Sequence, residues 1–384
     1  FMKKKYNKET IASKAGVGSD SMHGAIVPPL YLSTNFIQDE IGKEQPYEYT
    51  RQANPSRDHL ISALAELEGG IGGEILSSGM AAVSLITNIL ELNSKVLLPH
   101  DCYGGTFRLF SSLADKGILE AHFVDQSTKS FKENVISEIS PDLIWIESPS
   151  NPLLQVVDIE KICKKAKEIN AMVAVDNTFL SPSLQNPLKL GSDIVMHSTT
   201  KYINGHSDVI GGAVIAKNRQ VLEKIKFWSN NLGIAGAPFD SYLTLRGLRT
   251  LSIRMKKHEQ NALALVEFLS NNSKIKSVFY PGLTTHPSHN LAKRQQNGFG
   301  GMLSFELKEG LNGVKNFINR MELLPFAGSL GGFESLVGHP YTQSHGTHTP
   351  EQKEEIGISE GLIRISAGLE DTEDLIEAVK KALN

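Results

Sequence analysis

Between about residue 60 and residue 230, short and nearly continuous apolar runs alternate with longer segments whose apolar positions recur every three or four residues. "KVLLP", "EAHFV", "DLIWIE", "AMVAVDN", "DIVMHS" and "GGAVIA" have the length and unbroken apolar character of strands covered on both faces, whereas "TFRLFSSLADKG" and "IEKICKKAKEI" have helical spacing. This alternation predicts an α/β fold built on a mostly parallel sheet. Near residue 239 the texture changes: "FDSYLTLRGLRTLSIRMKKHEQNALALVEFLSNN" predicts one long helix, suited to linking two domains. "IKSVFYP", "GMLSFEL", "GVKNFINRM", "LIRISAG" and "TEDLIEAVKKAL" follow and predict a smaller α+β set. Residues 2–58 carry turn signals at "VPPL" and "ANPSRD" but no sustained period, and read as an extended arm. The expected division is an arm over 2–58, a large domain over 59–245 and a C-terminal α+β domain over 246–384.

Composition narrows the partners. A chain of 384 residues buries a sizeable core. Its 39 basic and 42 acidic residues are well mixed, for a net charge of −3. No basic stripe points to nucleic acid or a membrane surface, so small metabolites are the expected ligands. The start, "MKKKYNKETIASKAG", lacks the apolar stretch of a signal peptide, and no run of about eighteen apolar residues occurs. Two cysteines, Cys102 and Cys163, make no disulfide framework, and neither lies in a C-x-x-C pair. A cytoplasmic location is expected.

In an open α/β sheet, ligands bind beyond the carboxyl ends of the strands. There, "LSSGMAA" places Ser78, Gly79 and Met80 at the opening of a helical run, where free amides receive phosphate. "DCYGGTFR", "ESPSNP", "VAVDNTF" and "HSTTK" bring Tyr103, Asn151, Asp176 and Lys201 to the ends of successive apolar runs. The glycine-rich "GGIGG" is not a dinucleotide fingerprint: Gly70 and Gly72 fit, but Ile75 stands where the third glycine belongs. A phosphate site, an aromatic face, a carboxylate and an amine together match pyridoxal 5'-phosphate, whose aldehyde condenses with a lysine and whose ring nitrogen pairs with an aspartate. His345 and His348, in "HPYTQSHGTHTPEQ", lack a strong ligand pattern, and no metal is expected.

The longer stretches "YEYTRQANPSRD", "PHDCYGGTFRLFSSLADKG", "ESPSNPLLQVVDI", "VDNTFLSPSLQNPL", "HSTTKYINGHSDV", "SLGGFESL" and "GISEGLIRISAGLED" resemble the cysteine/methionine-metabolism family of pyridoxal-phosphate enzymes over nearly the whole chain. The resemblance implies the aspartate-aminotransferase type of pyridoxal-phosphate-dependent transferase fold. It implies that Lys201 carries the cofactor, that Asp176 pairs with the ring nitrogen and that Tyr103 stacks on the ring and assists proton transfer. Ser78, Gly79, Met80, Ser198 and Thr200 match phosphate-binding positions. Tyr49 and Arg51 match residues that reach the phosphate of a neighbouring subunit, in a homotetramer built as a dimer of dimers with shared active sites. Asn151 matches a position near the cofactor's phenolic oxygen and the substrate, and Arg364 the clamp on an amino acid's α-carboxylate. Glu334 with Ser335, Glu48 and Arg108 match positions for the distal parts of the substrates.

The closest branch makes cystathionine from an activated homoserine ester and cysteine; the alternative within the family is γ-elimination of cystathionine. Gln52 departs from the enteric pattern, where a second arginine follows Arg51, so both succinyl and acetyl esters stay open. Retention of Lys201, Asp176 and Arg364 argues against a non-catalytic remnant.

Overall fold

The computed structural model describes residues 6–127, 131–346 and 348–384. The start of the expected arm, 2–5, lies outside the described residues. The strands are β1 (Gly72–Leu76), β2 (Ser94–Pro99), β3 (Leu119–Val124), β4 (Leu143–Glu147), β5 (Met172–Asp176), β6 (Ile194–Ser198), β7 (Gly212–Ala216), β8 (Ile275–Phe279), β9 (Met302–Leu307), β10 (Leu336–Gly338) and β11 (Leu362–Ser366). The six apolar runs read as strands in the first half are β2 to β7. The chain divides into two compact units, one of residues 1–91 and 172–252 and one of residues 92–171 and 253–384.

In the first unit the strand order is β1-β7-β6-β5. β5 and β6 run parallel, whereas β7 is antiparallel to both β6 and β1. Every residue of β7 and the middle of β5 are buried, which is why these segments read as unbroken apolar runs and not as alternating ones. Ser198, at the end of β6, pairs with Gly212, at the start of β7, and Gly212 also pairs with Leu76 at the end of β1. Three strand ends therefore meet at one point. The helix Pro55–Glu68 begins with Asn54 accepting from the Ser56 amide at 2.9 Å, carries proline at its first position and ends on Gly69 at φ 79°, so both ends are written in the sequence.

In the second unit β4-β2-β3 form a parallel set. A separate antiparallel sheet has the order β10-β11-β9-β8. Phe305 of β9 meets Phe317 of the helix Gly310–Arg320 edge to face, with centroids 5.6 Å apart. The C-terminal helix Thr372–Leu383 is capped by Asp371, which accepts from the amides of Glu373 and Asp374. Its acidic residues lie in the first turn and Lys380 and Lys381 in the last, as the helix dipole favours.

The single long helix expected from residue 239 onward is two helices, Pro238–Leu248 and Leu251–Ser270. Periodicity does not register the break because the apolar spacing continues across it, and a close tertiary approach lies just before it. A Cβ on Gly247 would lie 2.1 Å from the Asn204 carbonyl oxygen, and the amide and hydroxyl of Thr250 both turn back to the Gly247 carbonyl at 3.1 Å. Helix propensity alone favours alanine over glycine by about 1 kcal/mol, but the approach of a carbonyl oxygen decides the sign. Gly247→Ala should destabilise the protein by about 2 kcal/mol, read as a lower denaturant midpoint. Gly328→Ala, where nothing lies within 4 Å of the added carbon, should stay within about 0.5 kcal/mol of the parent.

Candidate functional site

The meeting point of β1, β6 and β7 gathers the candidate residues of the first unit. Ser78 caps the helix Gly79–Ile89, its hydroxyl accepting from the Ala81 amide at 3.0 Å. The first-turn amides at Gly79 and Met80 have no partner within their own helix and face the end that attracts anions. Glycine is required here: a Cβ on Gly79 would lie 2.8 Å from the Ser198 Cβ and 3.0 Å from its hydroxyl, and one on Gly212 would lie 2.1 Å from the Ser78 carbonyl oxygen. The Ser198 side chain is thereby held against the helix start.

Lys201 is half-buried in the turn after β6, three residues beyond the strand end. Hydrogen bonds from the Lys201 amide to the Ser198 carbonyl (3.3 Å), from the Asn204 amide to the Thr199 carbonyl (3.0 Å) and from the Gly205 amide to the Lys201 carbonyl (2.8 Å) fix that turn. Thr200 closes the loop back onto β7, its hydroxyl accepting from the Gly211 amide at 3.0 Å and donating to the Gly211 carbonyl at 3.2 Å. That hydroxyl is committed to the loop.

Asp176 ends β5, the parallel neighbour of β6. It keeps some solvent exposure, yet its surroundings desolvate it and push its carboxyl above the usual range; hydrogen bonding by Thr178 and the nearby His197 act the other way. In the polar segment ahead of these elements, Tyr49 is 41% exposed. The Arg51 guanidinium lies 5.1 Å from its ring centre and donates to the Asn230 side chain at 3.1 Å. Glu48 and Gln52 line the same open cleft.

The second unit carries the remaining residues. Tyr103 precedes the helix Gly104–Asp115; its amide donates to Glu147 at 2.8 Å and its ring is 44% exposed. Arg364 lies in the middle of β11, buried, donating to the Asn151 side-chain oxygen and to the Ser329 carbonyl, each at 2.9 Å. Those two bonds fix the orientation of the guanidinium. Glu334 is half-buried beside Ser335. Ser335 is fully buried and engaged: its amide and hydroxyl donate to the Glu370 carboxylate at 2.6 and 2.7 Å, and the hydroxyl accepts from the Gly368 amide at 2.7 Å. It anchors the segment that carries Glu334. Arg108 is exposed on its helix, with the loop carbonyl of Ser344 close to Gly104 one turn earlier.

Some of the chemistry is not visible in motifs. Asp101 and Ser150, from the loops that carry Tyr103 and Asn151, are joined by a buried hydrogen bond of 2.5 Å. Burial pushes the Asp101 carboxyl up. His345 is driven down to about 3 by burial first and then by His348, Arg364 and Lys353, so its imidazole is neutral throughout the ordinary pH range. No group of three histidine, cysteine, aspartate or glutamate side chains among the described residues is arranged to hold a metal. Glu68, His197 and Asn177 form a polar cluster under the ends of β5 and β6; its one sequence signal is a histidine inside the apolar run "IVMHS".

In the first unit, a helix start that admits only glycine, a desolvated carboxylate at a strand end and an amine on a rigid turn fit the phosphate, ring nitrogen and aldehyde of pyridoxal phosphate. Comparison with known proteins agrees. Cystathionine γ-synthase of Escherichia coli (strain K12) is 48% identical over 368 residues, 96% of this chain and 95% of that protein. Cystathionine β-lyase of Coxiella burnetii is 42% identical over 99% of this chain and 98% of its own. The crystal structure of cystathionine γ-synthase from Xanthomonas oryzae pv. oryzae in complex with cystathionine superposes with a TM-score of 0.96, at 47% identity and 98% coverage of both chains. The family model for Cys/Met metabolism PLP-dependent enzymes matches residues 9–384, and the chain belongs to that pyridoxal-phosphate-dependent family.

Proposed function

We propose that this enzyme catalyses γ-replacement, joining an O-acylated homoserine to L-cysteine to give L-cystathionine and the free acid, the reaction of a cystathionine γ-synthase. The similarity to a cystathionine γ-synthase, 48% identical over 96% of this chain, carries the reading. The Ser335 hydrogen bonds to Glu370 and Gly368 hold the main chain beside Glu334, and Gly368 approaches the Glu334 carbonyl carbon so closely that a Cβ there would lie 2.4 Å away. A carboxylate carried on a segment held in this way suits the ammonium group of cysteine or the distal ammonium of cystathionine, so it serves synthesis and lysis alike.

Bound pyridoxal phosphate supplies an electron sink for the carbanion formed at the substrate α-carbon. The residues of the chain do the rest. Gly79 and Met80 offer amides to the phosphate, with Ser78 and Ser198 beside them. Thr200, whose hydroxyl closes the Lys201 loop, serves the phosphate site by shaping that loop. Asp176 pairs with the ring nitrogen, and Tyr103 offers its exposed ring as the stacking face. Arg364, oriented by Asn151 and Ser329, takes the α-carboxylate. With the cofactor in place, Lys201 Nζ would take the α-proton, hand it on, and, neutral again, take a β-proton; the acyloxy group would leave the γ-carbon as the free acid with the thiol's proton, the cysteine sulfur would add there, and the α- and β-protons would return to the product. Glu334 and Glu48 serve the amino-acid thiol, Ser335 supports Glu334, and Arg108 serves the distal end of the ester.

Tyr49 and Arg51 are assigned to the phosphate of a neighbouring subunit in a homotetramer. Their exposed position and the uncovered Ile26, Leu32 and Ile37 of the same segment, 70%, 67% and 90% exposed, support a protein surface that a second copy covers. No helix among the described residues is long and apolar enough to cross a membrane. Both cysteines are buried and outside any disulfide, which suits the cytoplasmic residence we propose. γ-Elimination of cystathionine is the second reading, because Glu334 would serve a distal ammonium in that direction too; Gln52, in place of a second arginine, bears on the acyl group and leaves both succinyl and acetyl esters open.

Lys201→Ala should abolish turnover and the absorption band of covalently held cofactor; retained activity would contradict the assignment. Glu334→Ala should raise KM for cysteine about tenfold while changing KM for the ester by less than about threefold. Equal effects on the two substrates in steady-state assays would remove Glu334 from thiol recognition.

A further inference from the structure

Under the ends of β5 and β6 lies a polar cluster that none of these roles uses. Glu68, the last residue of the helix Pro55–Glu68, His197 in β6 and Asn177 directly after β5 are each 0% exposed. The Glu68 Oε1 lies 2.7 Å from His197 Nε2 and accepts from Asn177 Nδ2 at 2.9 Å, while its Oε2 accepts from Asn186 Nδ2 at 3.2 Å. Gln185 donates to the Asn177 side-chain oxygen at 3.0 Å. The His197 Nδ1 is buried with no hydrogen-bond partner among the described residues.

Removing a carboxylate and an imidazole from water is costly, and such groups are often replaceable by apolar side chains with no loss of stability. Stability is therefore a poor reason for this cluster, and its position suggests another. Asn177 follows Asp176 and bonds through its amide to the Met196 carbonyl at 3.0 Å. His197 precedes Ser198, where the Lys201 turn begins. Thr178 joins the two strand ends, its amide donating to Asp176 Oδ1 at 3.0 Å and its hydroxyl accepting from the Ser198 amide at 2.9 Å. One network thus fixes the Asp176 carboxylate and the root of the lysine turn, with His197 acting on the Asp176 charge as well.

We propose that Glu68 and His197 are positioning residues: through Asn177 and Ser198 they orient the Asp176 carboxylate and the turn carrying Lys201. In this way they control how tightly pyridoxal phosphate is held and how its ring nitrogen is protonated, without touching it. The proposal rests on the assignment of Asp176 and Lys201 to the cofactor. Besides Asp176, the charged groups around the pair are Lys8 of the helix Lys8–Ser13, which feels both Glu68 and Lys189, and Lys189 of the helix Pro187–Leu190.

The test uses the full-length enzyme reconstituted with pyridoxal phosphate. Glu68→Gln and His197→Asn should each raise the dissociation constant for the cofactor about tenfold and move the midpoint of the pH titration of its absorption band by about one unit. Asp176→Asn is the control. If it moves neither quantity, the assignment of Asp176 is what fails; if it moves both while Glu68→Gln and His197→Asn change only the melting temperature, the positioning role is overturned. Should Glu68→Gln or His197→Asn not fold, Asn186→Ala removes one donor from Glu68 and leaves the other contacts in place. It should shift both quantities in the same direction by a smaller amount, and no shift would overturn the proposal.

Discussion

The close approach of backbone at Gly212 to the Ser78 carbonyl, and of Gly79 to Ser198, is the constraint on which the site depends. No side chain fits at either position, so the start of the helix Gly79–Ile89 is pressed against the end of β6. From this contact follow the direction in which the Gly79 and Met80 amides face, the position of the Ser198 hydroxyl and the point from which the Lys201 turn departs. The antiparallel return of β7 beside β6 closes the loop between them, and the Thr200 hydroxyl clasps that loop at Gly211. A flexible amine has little value as a base or as an attachment point unless its root is fixed, and here the root is fixed on both sides.

The second unit solves a different problem. A buried guanidinium is costly unless its donors are used, and Arg364 donates to an amide oxygen and a carbonyl, both neutral. At Glu334 the hydrogen bonds of its neighbour Ser335 hold the main chain in place. The loops of Tyr103 and Asn151 are joined beneath by the Asp101–Ser150 hydrogen bond, so these two positions are set together.

Strands β2 and β4 to β7 were legible because residues buried on both faces leave unbroken apolar runs such as "IVMHS" and "LIWIE", whereas β1, which opens on two glycines, was not read as a strand. The opening of a helix at Ser78 and Gly79 was legible because that signal is local in sequence. What depended on distant partners was not legible. The close approach of the Asn204 carbonyl to Gly247, from more than forty positions earlier, and the break after Leu248 leave no trace in the periodicity. The engagement of the Thr200 and Ser335 hydroxyls, at positions matched to ligand contacts, became visible only when their partners were in place. The Glu68–His197 pair joins residues 129 positions apart; its one sequence signal, a histidine in an apolar strand, does not name the partner.

The proposed reaction turns on whether a thiol adds at the γ-carbon or the substrate goes on to a keto acid and ammonia, and the 48% identity to a γ-synthase supports capture by a thiol. The most direct measurement is a mass-spectrometric product assay on the purified, pyridoxal-phosphate-loaded enzyme. It would be supplied with O-succinylhomoserine or O-acetylhomoserine, each with and without cysteine, and separately with cystathionine alone. The account predicts cystathionine from one of the esters plus cysteine, with little breakdown of cystathionine itself. Rapid conversion of cystathionine to keto acid, with poor synthesis from either ester, would contradict it.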